Sequence, residues 1–359
     1  MKVFLLNFSF HFLHHDNMTK QKAFGLDIGT STIKAVWLAK EEHGFFLQSA
    51  LTIPAPSRGM NSESPLDQEE LAKAIRVLIS EAKISTRYVN IALPENQVYT
   101  KVIETPTLSD KELASAIYWE AEQYIPVPLA TVTLDYKVLF RPETKESGKM
   151  MQVLLVGAPT ALIEKYEKIT SLAGLSINAI ETELISLTRS LIVEEKFPAT
   201  LIVSIGAVST SLAIVHSGIL VFAYSLPTGG VALSRAIAAD FGFAISQAEQ
   251  YKKAYGLADS AVGGKIGKVT EPILSSIVTE IKKALAFYAS KYPDDPMKQI
   301  ILAGGSAKFP GLATYCTSNT GIETAIANPW KLLVAQEVPK DIIENAPEYT
   351  VAAGLAMRE

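Results

Sequence analysis

The sequence predicts an α/β protein built from two related halves, with a smaller α/β unit inserted into the first half. The segments FGLDIGTSTIKAV (24–36) and LIVSIGAVSTSLAIV (201–215) share alternating apolar residues around an Ile-Gly turn, a pattern typical of paired strands. Between them, a strand–helix–strand–strand–helix–strand pattern runs from residue 88 to residue 182. A third glycine turn lies in IILAGGSAKFPGL (300–312), after a buried strand. The repeat indicates two half-domains that face each other.

Composition limits the function classes. The chain has 359 residues, enough for two or three units that each have a core, and 48% of them are apolar. The net charge of −4 gives no positive field for nucleic acid. The single cysteine, Cys316, excludes an internal disulfide and a cysteine-rich zinc site, and it fits a reducing compartment. We interpret residues 1–17 as an upstream start or a disordered tail rather than a membrane-touching segment, because Met18 begins a natural alternative start.

The local patterns of the first half predict its elements. Residues 23–55 alternate as antiparallel strands, and Asp67 is the expected cap of the helix QEELAKAIRVLISEAK. Ser109 and Glu112 predict a capping box for the next helix. Two strands, a helix over 160–173, a strand over 176–182 and a helix over 184–193 then follow.

The second half repeats the strand pattern from residue 200 onwards. Helices are predicted within 229–254 and along EPILSSIVTEIKKALAFYASKY. The chain ends in PEYTVAAGLAMRE, which is typical of a helix of small residues.

The first glycine turn has the composition of a phosphate-binding loop. Gly29 allows a tight turn, in which the amides of Gly29, Thr30 and Ser31 are expected to point into one concavity. The hydroxyls of Thr30, Ser31 and Thr32 add further donors. Asp27, at the end of the strand, is placed to hold the hydration shell of Mg²⁺. Taken alone, the segment is better explained by an ordinary hairpin with an aspartate in its turn.

The two later turns make a nucleotide site the better hypothesis. Gly206 and Ala207 offer amides in the second loop, although Ser204 stands where an aspartate would handle a metal. Gly304 and Gly305, followed by Ser306, would let the backbone approach a flat ring and its ribose. The presence of three such turns in this order is a fairly specific sign of a nucleotide site.

Together, the three glycine turns resemble the motifs of the actin/Hsp70/sugar-kinase superfamily. The resemblance implies phosphate motifs at 25–36 and 202–214 and an adenosine motif at 300–312. Within this superfamily the chain is similar to the PilM family of actin-like type IV pilus assembly proteins. The matching stretches are GLDIGTSTIKAVWL, AEQYIPVPLATVTLDYKVL, PTGGVALSRAIAADFGFAISQAEQYKK and VAAGLAMR. The resemblance covers about residues 20–358. It implies a ribonuclease H-like duplicated, actin-like two-domain fold, with a small α/β insert (1C-like) in place of subdomain 1B of actin.

The resemblance also implies a division of the chain. The expected units are a tail or misassigned start (1–19), the first half (20–84 and 183–200), the insert (85–182), the second half (201–230 and 300–340), a helical subdomain beside the nucleotide cleft (231–299), and a C-terminal helix returning to the first half (341–359).

Further site residues follow from the same resemblance. Glu183 matches the position of a glutamate that orients the attacking water, with a solvent-facing helix start as the alternative. Gly229 and Gly230 precede a helix whose N-terminal amides would meet a phosphate. Glu249 and Lys252 resemble residues that reach the ribose and the base, although charges at this spacing are also typical of a solvated face. Lys34 is expected to be exposed.

Ser204 decides the expected activity. A serine hydroxyl can contact a phosphate, but it supplies no negative charge to a metal or to the attacking water. The loss of that charge lowers transition-state stabilisation, and each ~1.4 kcal/mol that is lost slows the reaction tenfold. We therefore expect binding of ATP and Mg²⁺ with slow or absent hydrolysis. The contrary reading is that Asp27 suffices.

The resemblance implies a scaffold on the cytoplasmic face of a type IV pilus or type II secretion-like machine, peripheral to the inner membrane. Its expected partner is the N-terminal cytoplasmic peptide of a PilN-like bitopic membrane protein, in a groove between the first subdomain and the insert near YWEAEQYIPVPL (118–129). Pilus motor ATPase components and a second copy of the chain are further expected partners. The alternatives are an FtsA-like division protein, which normally ends in a basic amphipathic helix that this sequence lacks, and a sugar or acetate kinase, for which no substrate carboxylate is evident beyond Asp27 and Glu183.

Overall fold

The computed structural model describes residues 22–142, 150–192, 197–258 and 264–358, and the predicted tail at 1–19 lies outside these ranges. The strands are β1 (Phe24–Ile28), β2 (Thr32–Glu41), β3 (Gly44–Pro54), β4 (Tyr88–Leu93), β5 (Tyr99–Thr105), β6 (Val132–Phe140), β7 (Met151–Pro159), β8 (Ser176–Thr182), β9 (Thr200–Ile205), β10 (Thr210–His216), β11 (Ile219–Leu226), β12 (Gln299–Ala303) and β13 (Thr324–Ile326). The helices are α1 (Pro65–Glu81), α2 (Asp110–Glu122), α3 (Thr160–Leu172), α4 (Glu183–Leu191), α5 (Gly230–Phe241), α6 (Ile245–Tyr255), α7 (Lys265–Lys291), α8 (Leu312–Thr320), α9 (Lys340–Glu344) and α10 (Thr350–Ala356).

Two five-stranded sheets carry the repeat that the sequence predicts. The first has the order β3-β2-β1-β4-β8 and the second the order β11-β10-β9-β12-β13. In the first sheet β1, β2 and β3 form an antiparallel meander, and β4 and β8 run parallel to β1. In the second sheet β9, β10 and β11 form the same meander, and β12 and β13 run parallel to β9. The predicted duplicated α/β fold is confirmed by this identical order.

The insert is smaller than the sequence suggested. β4 pairs in parallel with β1, and β8 pairs in parallel with β4, so both strands belong to the first sheet. α3 also packs on that sheet, because Ile163, Tyr166 and Ile169 are buried in its core. What remains of the insert is the antiparallel sheet β5-β7-β6 and α2. The boundary at 85–182 was therefore wrong, since a strand pattern reveals a strand but not the sheet that accepts its hydrogen bonds.

A separate small core holds the insert together. α2 turns Leu113, Ile117 and Ala121 inward, against β5 and β7. Its N-terminus has the predicted capping box, with the Glu112 amide donating to the Ser109 hydroxyl at 3.3 Å and the Ser109 amide donating to the Glu112 carboxylate at 2.7 Å. The insert is thus an independent layer attached beside the first sheet.

α1 begins earlier than predicted. Its N-cap is Ser64 and its first residue is Pro65, so Asp67 lies inside the first turn and is not the cap. Proline suits this position because its missing amide hydrogen has no partner in a first helical turn anyway. The Asp67 carboxylate instead accepts a hydrogen bond from the hydroxyl of Ser62 at 2.5 Å.

The C-terminal helix α10 joins the first half through very close packing. A Cβ built on Gly25 of β1 would lie 2.0 Å from the carbonyl oxygen of Ala352, and one on Gly354 would lie 1.9 Å from that of Ser186 in α4. Only glycine allows these approaches. The Asn90 amide on β4 also donates to the Leu355 carbonyl at 2.9 Å. α10 therefore locks β1, β4 and α4 together behind the first glycine turn.

The two halves also pack against each other. The main core of the first half includes Ile202 on β9 and Val215 on β10 of the second half. On its other face the second sheet buries the long helix α7 through Leu274, Ile277 and Ile281. The ends of β1 and β9, which lead into the two glycine turns, are consequently held in fixed relative positions.

Candidate functional site

The two glycine turns have the same backbone geometry. In the first, the Gly29 amide donates to the carbonyl oxygen of Thr32 at 3.1 Å, and in the second the Gly206 amide donates to that of Ser209 at 2.9 Å. The expectation that the Gly29 and Gly206 amides face a phosphate is wrong, because each closes its own turn. Thr30 and Ser31 are exposed at the tip of the first turn, with Thr32 half-buried behind them. These residues remain the candidate donors of the first loop.

Asp27 and Lys34 form a buried ion pair behind the first turn. The Lys34 ammonium lies 3.0 Å from Oδ2 of Asp27, and each residue is 8% exposed. Burial alone would lower the pKa of Lys34, but the charge of Asp27 and the hydrogen bond to it outweigh burial and raise that pKa. Lys34 was predicted to be exposed, and this was wrong. The antiparallel register of β1 with β2 sets Lys34 directly opposite Asp27.

Glu183 lies next to this pair rather than facing solvent. It opens α4, whose N-cap Thr182 accepts a hydrogen bond from the Ile185 amide at 3.4 Å. Burial, with the charge of Asp27 adding to it, raises the pKa of Glu183 to about 8. A carboxyl with a pKa near neutrality suits proton transfer or the orientation of a water molecule. Asp27, Lys34 and Glu183 thus form one charged cluster behind the first turn.

The second half has no such charge at the equivalent position. Ser204 precedes its turn glycine by two residues, as Asp27 does, and it is paired across the strands with Ser211. Asp27 is paired in the same way with Lys34. Two serines therefore stand where the first half has an ion pair.

The backbone of two glycines meets a lysine and a serine side chain beyond the second turn. The Gly230 amide donates to the Gly206 carbonyl at 2.9 Å, which holds the start of α5 against the turn. A Cβ on Gly230 would lie 2.2 Å from the Ser306 hydroxyl and 3.2 Å from the Lys252 ammonium. A Cβ on Gly229 would lie 2.7 Å from the Gly206 carbonyl oxygen. The sequence-predicted residues Gly206, Gly229, Gly230, Lys252 and Ser306 are thus brought into one small region.

Glu249 and Lys252 are engaged with each other. Their side chains form an ion pair at 2.6 Å, and Glu249 also accepts from the Ser234 hydroxyl at 2.5 Å. The Lys252 ammonium donates to the Gly230 carbonyl at 3.0 Å. Burial lowers the pKa of Lys252. The pair therefore holds the start of α5.

The third turn lies against the end of β9. Gly304 has a φ of +81°, which favours glycine, and a Cβ there would lie 2.6 Å from the Ile205 carbonyl oxygen. No neighbour surrounds Gly305 within 4 Å of an added Cβ, so the turn is open at that residue. An open glycine after a buried strand leaves room for a flat ring.

Glu348 connects the first and third turns. Its carboxylate forms an ion pair with Lys308 at 2.6 Å, just beyond Gly305 and Ser306. The charge of Glu348 also contributes to the raised pKa of Lys34. This connection sets the charged side of the first half beside the glycine turn of the second.

The side chains fit Mg²⁺ bound together with a nucleotide. Among the described residues, no cluster of three or more histidine, cysteine, aspartate or glutamate side chains is arranged to hold a metal ion. Mg²⁺ commonly keeps several waters and uses one or two carboxylates plus phosphate oxygens. Lys34 contacts Oδ2 of Asp27, which leaves Oδ1 of that carboxylate for a metal-bound water.

A cavity lies between the insert and the second half. It has a volume of about 480 Å³ and is lined by Glu95 after β4, Tyr99 on β5, Tyr124 after α2, Tyr224 on β11 and Pro227. Tyr124 comes from the segment 118–129 that the sequence predicted to lie near a partner groove. In the same segment Trp119 is 69% exposed, whereas Ile125 is 5% exposed and belongs to the insert core. We call this cavity the docking pocket.

Comparison with known proteins identifies the family. The family model described as type IV pilus assembly protein PilM matches residues 25–359. The chain belongs to the PilM family. A solved PilM-PilN type IV pilus biogenesis complex is similar over 94% of this chain and 98% of that chain, with 28% identity and a TM-score of 0.83. This match and the matching sheets confirm the actin-like two-domain fold.

More distant similarities are found in sequence and in structure. The cell division protein FtsA of Enterococcus hirae is 22% identical over 89% of this chain and 81% of its own length. The structure of MreB5 of Spiroplasma citri bound to ADP covers 92% of this chain and 93% of that chain, with 14% identity and a TM-score of 0.53. Within the described part of this PilM-family chain, no helix is long and apolar enough to cross a membrane.

Three site residues were missed or misjudged from the sequence. Lys34 could have been found, because a tight turn at residues 30–31 sets residue 34 opposite residue 27. Glu95 and Glu348 carried no usable signal, since their positions depend on contacts between segments far apart in the chain. The backbone amide of Glu95 donates to the Glu183 carboxylate at 3.4 Å, although 88 positions separate the two residues in the sequence.

Proposed function

We propose that this PilM-family protein is an ATP-binding scaffold of type IV pilus assembly that docks the N-terminal peptide of a PilN-type membrane protein. The observation that carries this function is that one chain combines the glycine turns of two duplicated halves with a tyrosine-lined pocket between the insert and β11. On this proposal the nucleotide lies at the glycine turns, and we call that place the nucleotide cleft. On this proposal the protein works at the cytoplasmic face of the inner membrane and is held there by its partner.

Several contacts support nucleotide binding in the cleft. The hydroxyls of Thr30 and Ser31 are exposed at the first turn, and the start of α5 at Gly230 lies beside the second turn. The N-terminus of a helix attracts phosphate. MreB5, which has the same fold, was solved with ADP. We assign Asp27 to the hydration shell of Mg²⁺ and Glu183 to the attacking water.

The contrast between Asp27 and Ser204 favours slow or absent ATP hydrolysis. Relatives of this superfamily usually place a carboxylate on both loops, and here only the first loop has one. Binding depends on hydroxyls and amides that remain, whereas turnover depends on charge near the attacking water. A scaffold that holds ATP without rapid hydrolysis fits this arrangement.

The docking pocket supports the partner assignment. Tyr99, Tyr124 and Tyr224 give it aromatic walls, and the pocket lies between two edge strands, β5 and β11. Aromatic pockets beside the outer strands of sheets suit extended peptides, whose main chain can bond a strand edge while side chains enter the pocket. The FtsA relatives keep a division protein as the second candidate.

The first test measures nucleotide binding by thermal stability. A ligand at 100 times its dissociation constant stabilises the folded state by about 2.7 kcal/mol. We expect a clear rise in Tm with Mg·ATP, and we expect Asp27→Ala to remove most of that rise relative to its own nucleotide-free Tm. Asp110→Ala, an exposed aspartate on α2, is the matched control and should keep the full rise. No rise in the wild type at millimolar nucleotide would show that the turns are purely structural.

The second test measures peptide docking. A synthetic peptide of the N-terminal cytoplasmic residues of the PilN-type protein should bind the full chain, and Tyr224→Ala should weaken its affinity at least fivefold. Phe46→Ala, at an exposed aromatic residue on β3, is the control. No binding at low salt with nucleotide present would favour the division-protein function.

A further inference from the structure

The outer face of α2 is exposed and aromatic. The helix packs Leu113, Ile117 and Ala121 into the insert core, so its opposite face is open to solvent. On that face Trp119 is 69% exposed and Tyr118 is 47% exposed, and their rings meet edge to face with centroids 6.4 Å apart. Two adjacent rings in water leave a large apolar area that a partner could bury.

The two rings belong to a continuous strip along α2. Ala114 and Ser115 lie four positions before Tyr118 and Trp119 and are themselves exposed. Glu122 is exposed three positions beyond Trp119. Residues three and four positions apart are neighbours on a helix surface. These five residues therefore form one strip of two small side chains, two rings and one carboxylate, which we call the α2 face.

The charge of α2 is negative, and its position is unfavourable for the helix itself. Four residues of the helix are acidic and one is basic, and its last turn carries Glu120 and Glu122 but no basic residue. Carboxylates are disfavoured at a helix C-terminus, where the helix dipole is also negative. A cation bound beside Glu122 would relieve this repulsion. The arrangement favours a positively charged partner over the anionic surface of a membrane.

The combination of Trp119 and Glu122 distinguishes between cations. The two residues lie on the same side of the last turn, so a ring and a carboxylate are within reach of one bound side chain. An arginine guanidinium is planar and can stack on a ring while its N–H groups donate to a carboxylate. The ammonium of lysine is compact and strongly hydrated. The α2 face therefore fits arginine better than lysine.

We propose that the α2 face docks an amphipathic helix of a partner protein, with an arginine of that helix stacked on Trp119 and bonded to Glu122. Apolar side chains of the docked helix pack on the rest of the α2 face. The site is separate from the docking pocket, because Tyr124 and Ile125 are the residues of segment 118–129 that line that pocket. This contact is independent of nucleotide binding and of the PilN-type peptide.

The experiment titrates the full chain with a synthetic amphipathic peptide of about 18 residues, long enough to be helical, that carries leucine and arginine on one face. Trp119 supplies the signal, since Trp330 is 8% exposed and the indole nitrogen of Trp37 is buried. Its fluorescence emission should move to shorter wavelength as the ring leaves water. The same peptide with lysine for arginine should bind about threefold more weakly, and with glutamate it should not bind.

Charge reversal at Glu122 is the most specific variant. Glu122→Arg should lower the affinity for the arginine peptide about tenfold and should allow the glutamate peptide to bind. The variant should fold, because arginine suits a helix C-terminus. Glu70→Arg, at an exposed carboxylate on α1, is the matched control and should leave the binding of both peptides unchanged. Trp119→Ser, measured by calorimetry, should abolish binding of the arginine peptide.

Four results would overturn the proposal. The wild type fails to bind the arginine peptide, or Glu122→Arg binds it as tightly as the wild type. The arginine peptide competes with the N-terminal peptide of the PilN-type protein, which would make the α2 face and the docking pocket one site. Trp119→Ser abolishes binding of the chain to phosphatidylglycerol vesicles, or abolishes a concentration-dependent dimer, which would assign the face to a membrane or to a second copy. None of these results depends on ATP binding, so the nucleotide part of the proposed function is tested separately.

Discussion

The first and second glycine turns have the same backbone and opposite electrostatics. Each strand pair closes with a glycine amide bonded to the carbonyl three residues later, and the residue two positions before the glycine faces a partner seven positions ahead. In the first turn these facing residues are Asp27 and Lys34, and in the second they are Ser204 and Ser211. A duplicated fold thus supplies the same scaffold twice, and side-chain identity alone decides which half carries the charge.

The difference separates binding from turnover. A phosphate can be held by main-chain and hydroxyl donors, which both turns offer. Activation of water needs charge close to the reacting atoms. At the two equivalent facing positions only the first half has charges, on Asp27 and Lys34, with Glu183 beside them. The comparison therefore predicts which substitutions affect stability, pH response and hydrolysis.

The largest effect is expected from breaking the ion pair of the first turn. Lys34→Met leaves Asp27 buried without its partner, and loss of one member of a buried pair costs about 3 kcal/mol or more. Ser211→Ala at the matched position should cost less than about 1 kcal/mol, since within the described part of the chain its hydroxyl makes one long contact, with Ser225 at 3.3 Å. Urea denaturation of both variants gives the two free energies of unfolding. Equal losses in the two variants would show that the two turns are not electrostatically different.

The next effect concerns pH and Glu183. Its pKa of about 8 in the folded protein lies far above the ~4.3 of an unfolded chain, so the folded state binds this proton more tightly. The stabilisation is complete below about pH 4.3 and is lost as the pH rises through 8. Between pH 5 and 8 the wild type should therefore lose about 2 kcal/mol relative to Glu183→Gln, with partial exposure reducing the ~1.4 kcal/mol per pKa unit.

Denaturation curves at several pH values check this difference. Glu122→Gln is the control, because that exposed carboxylate should leave the pH dependence unchanged. If the free energies of unfolding of the wild type and Glu183→Gln change in parallel between pH 5 and 8, the pKa of Glu183 is not raised by burial and by the charge of Asp27.

The smallest effect is expected from adding the missing carboxylate to the second turn. Ser204→Asp should raise the rate of ATP hydrolysis by about tenfold, equivalent to ~1.4 kcal/mol of transition-state stabilisation. The substitution should also lower stability slightly, since Ser211 offers no positive charge to the new aspartate. Phosphate release under single-turnover conditions measures the rate.

Ser209→Asp is the matched control for that prediction. It adds the same charge to the same turn, but at the residue that corresponds to Thr32 rather than to Asp27. It should leave hydrolysis unchanged. Rapid hydrolysis by the wild type, or a slower rate in Ser204→Asp, would refute the role that we give to Ser204.

Much of the fold could be predicted from the sequence, and the errors in that prediction have a common cause. The alternating patterns gave the strands, and Ser109 and Glu112 gave a capping box that the structure confirms. β4 and β8 were assigned to the wrong sheet, because their apolar side chains fit either neighbour. Lys34 was judged exposed because a lysine usually is, although the register of the tight turn already set it opposite Asp27.

The site was predicted unevenly for the same reason. Residues within one turn, such as Thr30 and Ser31, could be grouped from their spacing. Glu95 was missed because its contact with Glu183 joins two strand ends that are distant in the chain. The amide of Gly29 was misassigned because the turn uses it internally.

The sequence by itself determined where the chain turns, which face of each strand is apolar, and that one half carries Asp27 where the other carries Ser204. These properties depend on neighbouring residues alone. Only the tertiary structure decided which strands pair, that Glu183 and Glu348 approach Lys34, and that a pocket opens between the insert and β11. The physical reason is that backbone hydrogen-bonding groups are the same in every strand, so the choice of partner is made by packing across the whole chain.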